Sequence, residues 1–193
     1  MIQAFKNHML SILPEITDKD LQVMLEACEL KTLDKKEHIL KEGDVCSHKI
    51  FIYKGLLRNY SKAENGNEYI IRFIDAGKWC IDPESYFSGL PSKYNIEAIV
   101  ASEIAMFTPK QIESLCKKIP ALQVYFKSLF QETVKNIQNQ ILISISATPE
   151  EKYLDFMKTH PKIFQKVPLH MIASYLGISR ETLTRVRHKL LIG

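Results

Sequence analysis

The 193-residue sequence predicts an α+β fold in three parts: an antiparallel β-roll, a long dimerisation helix and a C-terminal helix-turn-helix. Three observations carry this. Glycines recur at Gly43, Gly55, Gly66, Gly77 and Gly89, every 11 or 12 residues, between short β-rich runs. Strands at that spacing, with turn signals between them, indicate a barrel or sandwich. An apolar-periodic stretch then begins at Pro120 and has no charged residue from Asn136 to Pro149. Finally, residues 166–193 hold five cations (Lys166, Arg180, Arg185, Arg187, Lys189) against one acid, Glu181, which accounts for the whole net charge of +4. A polyanion would meet a neutral body and one positive end.

Residues 17–29 read as a short amphipathic helix, capped by Thr17 or Asp18, with Leu21, Met24, Leu25 and Cys28 at helical spacing. The β-rich runs are 49–53, 56–61, 68–74, 94–100 and 103–107, a roll of roughly 70 residues. Asn65-Gly66-Asn67 is a hairpin turn, because Asn and Gly tolerate positive φ. Helix returns after Thr108-Pro109, with a short one expected over 111–116. Pro120 is suited to the first turn of the long one. Its stripe is Leu122, Phe126, Leu129/Phe130, Val134, Ile137, Ile141 and Ile145. A helix without a wet face needs cover on more than one side. The roll on one side and a twin helix on the other would give a parallel homodimer seam. Thr148-Pro149-Glu150-Glu151 is a capping box that opens a further helix, which His160-Pro161 ends.

The last segment predicts a first helix over 169–175 with Ile172, Ala173 and Leu176 inward, a left-handed turn at Gly177, Ile178 plugging the angle and Ser179 capping a second helix. At 100° per residue, Leu183, Val186 and Leu190 of that helix share a buried stripe. Arg180, Glu181, Thr184, Arg185 and His188 share the opposite face. A helix docked by its back presents such a front to a major groove. Arginine can bind guanine O6 and N7 bidentately, and a carboxylate can accept from cytosine N4. Double-stranded DNA is therefore the expected ligand, read by Arg180, Glu181 and Arg185.

Other classes find little support. No apolar run reaches the roughly 20 residues of a membrane span, and the N-terminal segment does not read as a signal peptide, so a cytoplasmic location is expected. Cys28, Cys46, Cys80 and Cys116 are scattered and read as reduced structural thiols. A cupin-like metal enzyme would need clustered imidazoles, and the roll holds only His38 and His48. No catalytic constellation stands out, so the chain is not expected to be an enzyme and no metal is expected.

At these residues the chain resembles the Crp-Fnr family of bacterial transcription regulators. Ser179-Arg180-Glu181-Thr182 followed by Arg185 is similar to the recognition helix of the cAMP receptor protein branch. The glycine-punctuated roll is similar to a cyclic-nucleotide-binding jelly roll. The resemblance implies a homodimer on a palindrome of half-sites similar to TGTGA, with RNA polymerase as a further partner. It divides the chain into a sensor roll (1–119), a dimerisation helix (120–147) and a DNA-binding end (148–193). Two departures stand out. The family's phosphate cassette carries a Gly-Glu and an Arg-Ser pair, whereas the windows 77–84 and 94–98 hold Asp82 and Glu84, and no arginine lies between Arg72 and Arg180. Neither cAMP nor cGMP is expected, and no cofactor is assigned. Family members also add a β-hairpin wing after the recognition helix, where this sequence has Leu191-Ile192-Gly193, so wing contacts to phosphate are not expected. The competing reading is a ligand-sensing roll that acts through protein partners.

Overall fold

The computed structural model describes residues 2–192, with side chains through Leu190, so the expectation about the wing lies largely outside the described residues. Two helices lead the chain, α1 (Ile2–Ile12) and α2 (Asp18–Ala27). Thr17 closes a reciprocal capping box with Asp20 at the start of α2. The first helix was not expected from the sequence. Its Phe5 and Met9 are fully buried, and Phe5 meets Phe51 edge-on at 5.7 Å between ring centroids.

Among the described residues eight strands follow: β1 (Glu29–Leu33), β2 (His38–Leu40), β3 (Lys49–Lys54), β4 (Leu56–Lys62), β5 (Glu68–Asp75), β6 (Lys78–Cys80), β7 (Asn95–Ala98) and β8 (Ser102–Phe107). A short helix, α3 (Pro83–Ser88), interrupts them between β6 and β7. They form two antiparallel four-stranded sheets, ordered β1-β8-β3-β6 and β2-β7-β4-β5. The five expected strands are present. The sequence reading omitted β1, β2 and β6, which run three to five residues and offer little alternation to read. The roll glycines all sit at positive φ, and the requirement is strictest at Gly55. A Cβ there would lie 2.1 Å from Ser102 Oγ, whose oxygen takes the Leu56 N–H at 3.2 Å.

Three helices complete the middle of the chain: α4 (Pro109–Lys118), α5 (Pro120–Ser146) and α6 (Pro149–Thr159). The Thr148–Glu151 capping box forms as expected, with Thr148 Oγ1 taking the Glu151 N–H and the Glu151 carboxylate taking the Thr148 N–H. The tail holds α7 (Pro161–Phe164), α8 (Leu169–Leu176) and α9 (Arg180–Ile192).

The core has three parts. Leu33, Ile52, Leu57, Ile74, Ile96 and Ile104 fill the roll. Its outer face against α1, α2, α4 and the start of α5 buries Phe51, Tyr53, Phe107 and Leu122. A third cluster joins the roll to the C-terminal helices. Leu56, Tyr60, Ile70, Phe73 and Ile99 pack with Tyr153, Phe156, Ile172, Ala173, Leu176, Leu183 and Val186. The roll and the C-terminal helices thus share one apolar interior.

The stripe on α5 divides. Leu122 is buried, and Phe126 and Leu129 pack on the roll. From Phe130 onward the stripe stands exposed: Phe130 at 70%, Ile141 at 56% and Ile145 at 78%. The expected cover from the roll therefore reaches only the first half of the helix. No helix among the described residues is long and apolar enough to cross a membrane.

Candidate DNA-contact surface

The candidate surface is built by the turn between α8 and α9. Gly177 takes φ 66° and ψ 33°. The Ile178 N–H reaches back to the Ala173 carbonyl at 3.1 Å and the Gly177 N–H to that of Ser174 at 3.2 Å. This is a Schellman closure, which satisfies the last carbonyls of α8 and requires a left-handed residue at Gly177. Ser179 then caps α9, its Oγ accepting the Thr182 N–H at 3.0 Å.

With both ends set, the back of α9 docks into the shared core through Leu183 and Val186. Leu190, expected in the same stripe, is 37% exposed instead. The buried seam tapers where the helix runs past the elements it packs on. The last turn is held by an ion pair, Lys189 Nζ to Glu150 Oε2 at 2.6 Å. Arg187 is partly covered.

The front carries the expected side chains. Arg180, Glu181, Thr184, Arg185 and His188 are all exposed, and together with Lys189 they line one continuous surface. Glu181 is held in its ionised, accepting form. Its own backbone N–H, then the Ser179 hydroxyl, then Arg180 hold its carboxyl below the usual range. Lys189 belongs to the surface although sequence reasoning omitted it, and its spacing of four residues from Arg185 was the available signal. His170, at the start of α8, lies close enough to Arg180 that the guanidinium helps depress its pKa, after burial.

The roll window where a phosphate cassette would lie is differently furnished. Asp82 is 1% exposed and its Oδ1 meets no hydrogen-bond donor among the described residues. Ser85 Oγ accepts the Cys46 N–H at 2.8 Å and donates to the Leu90 carbonyl at 2.6 Å. Lys93, a cation beside this window, pairs with Glu84 at 3.0 Å. A cyclic phosphate would meet a buried carboxylate and a cation already engaged. Burial pushes the Cys80 thiol up to about 11, and Cys46 rises for the same reason, so neither is a ready thiolate. His38 Nε2 lies 3.0 Å from the Tyr60 hydroxyl and 3.4 Å from Glu97, and His48 contacts Ser47. Among the described residues no group of three or more His, Cys, Asp or Glu side chains could hold a metal.

Comparison with known proteins agrees with this architecture. Residues 30–119 match the family model for the cyclic nucleotide-binding domain. The cAMP-activated global transcriptional regulator CRP of Salmonella typhimurium is 23% identical over 180 residues, which cover 88% of this chain and 86% of that protein. The structure of FixK2 from Bradyrhizobium japonicum superposes with a TM-score of 0.72 at 17% identity, covering 86% of this chain and 85% of that one. The c-di-GMP responsive global regulator CLP of Xanthomonas campestris gives a TM-score of 0.73 at 12% identity, covering 91% and 92%.

Proposed function

Because residues 30–119 carry a cyclic nucleotide-binding domain in a chain homologous to the Crp-Fnr transcription regulators, we propose that it is a homodimeric, sequence-specific DNA-binding regulator and not an enzyme. The observation that carries this is the front of α9. Two guanidiniums, a carboxylate and an imidazole share one exposed surface while the opposite side of the helix is anchored. Arg180 and Arg185 are the guanine readers, Glu181 accepts from a cytosine amine, and Thr184 and His188 complete the footprint. Residues 148–193 bind DNA, 120–147 dimerise and 1–119 form the body that positions them. RNA polymerase is the further partner the homology suggests.

The exposed half of α5 supports the dimer. Phe130, Val134, Ile137, Ile141 and Ile145 continue a helical stripe that the protomer leaves uncovered. A twin helix laid along it would bring two recognition helices to the spacing of one DNA turn, about 34 Å.

The test is selection of bound sites from a random duplex pool. Enrichment of a palindrome supports the reading. Binding that is sequence-blind and falls steeply with salt would overturn it in favour of a roll acting through protein partners.

A further inference from the structure

Strand β5 ends its sheet: β4 pairs with one side of it, and no strand among the described residues pairs with the other. An open edge leaves N–H and C=O groups without partners. At Glu68–Ile70 a single side chain closes that edge. Ser174 Oγ donates to the Glu68 carbonyl at 2.6 Å and accepts the Ile70 N–H at 3.0 Å. One hydroxyl stands in for the donor and the acceptor that a neighbouring peptide would supply.

Both partners are fixed in place. Ser174 lies in α8 between buried Ala173 and Leu176, just before the Gly177 turn that launches α9. On the strand side, Arg58 is 4% exposed, ion-paired to Glu68 and to Glu97 and stacked over the Tyr60 ring at 4.1 Å. The surrounding contact is apolar, with Ile70 and Phe73 against Ile172, Ala173 and Leu176. Apolar packing is non-directional and permits small slides. Two hydrogen bonds meeting at one oxygen do not, since their strength depends on distance and angle.

We propose that Ser174 is a positioning residue for DNA recognition: its hydroxyl sets the register of α8 on the β5 edge, and thereby the spacing and tilt of the two recognition helices in the dimer. The functional half of this rests on the DNA-reading role proposed above; the clasp itself does not.

The experiment compares the full chain with S174A and S174T. The first readout is amide hydrogen exchange. In S174A the Ile70 amide should exchange about tenfold faster or more, while Leu57 and Ile104 inside the roll keep their protection and so report an intact fold. S174T, which keeps the hydroxyl, should restore Ile70. The second readout is binding to the selected palindrome, to versions lengthened or shortened by one base pair at the centre, and to a single half-site. The wild type should discriminate the three spacings. S174A should lose about tenfold on the best one and bind all three alike, with half-site affinity unchanged. S174T should recover the preference.

Unchanged exchange at Ile70 in S174A would overturn the clasp. Persistence of the spacing preference, or tighter binding by S174A, would overturn the positioning role while leaving DNA reading intact. If the wild type selects no site at all, DNA reading fails and takes the positioning role with it, whatever the exchange shows.

Discussion

At the scale of single residues, Arg180 and Arg185 have an anchored helix behind them and open surface in front. Replacing either with alanine should cost about 1–3 kcal/mol on the best DNA site and relax the preference at one base pair. Binding measured across single-base variants of that site checks this. A uniform loss for every sequence would mean that they touch only phosphate. Gly55 makes a sharper demand on the fold. Its φ is 108°, and an added Cβ would press on Ser102 Oγ at 2.1 Å and on Ser102 Cβ at 2.5 Å. Gly55→Ala should lower unfolding stability by about 2 kcal/mol or more, read as a shift in denaturant midpoint. The positive φ was foreseeable from the glycine spacing. The clash was not, because Ser102 arrives from a strand 46 residues along the chain through the Leu56 N–H bond.

At the scale of elements, what the sequence revealed depended on length and on local punctuation. Helix α5 was legible because its apolar steps repeat over many turns and Pro120 marks its start. The turn into α9 was legible because Gly177 and Ser179 act through their own backbone and neighbours, and the front of α9 follows from its buried back. Strand β6 was not legible, since Lys78–Cys80 is recognisable only through its pairing with β3. Helix α1 was there to be found in the spacing of Phe5, Met9 and Ile12, but its cover comes from Phe51 and Tyr53, which no local pattern announces. The division of the α5 stripe was also hidden, because periodicity says which side of a helix is apolar and not what covers it. Ile137→Asp tests the uncovered half. It should weaken the dimer by placing an unpaired charge in the seam, with a lighter species in sedimentation at low micromolar protein. An unchanged profile would exclude that seam.

At the scale of the whole molecule, roll and C-terminal helices meet around aromatic rings. His160 stacks on Phe156 at 5.1 Å and 16°, with Tyr175 6.1 Å away. Burial, aided by Lys78, draws its pKa below the ordinary 6.5 against the opposing pull of Asp75 and Asp155, and His170 is lowered chiefly by burial and then by Arg180 and Arg58. Both are depressed on folding, so the unfolded chain binds more protons below the ordinary histidine value. Their stability contribution is complete above about pH 6.5 and is lost as pH falls through the lowered values. Melting temperature should therefore drop between pH 7.5 and 5.5, and His160→Gln should flatten that drop. The interior shared by the roll and the C-terminal helices has a further consequence, for how the chain comes apart. With Tyr60 and Phe73 contributed by the roll and Phe156 and Leu176 by the C-terminal helices, neither half keeps a finished surface once its counterpart leaves. Calorimetry on the intact chain should trace one endotherm instead of two, and a fragment beginning at Thr148 should stay sticky and poorly ordered rather than behave as a portable reading head.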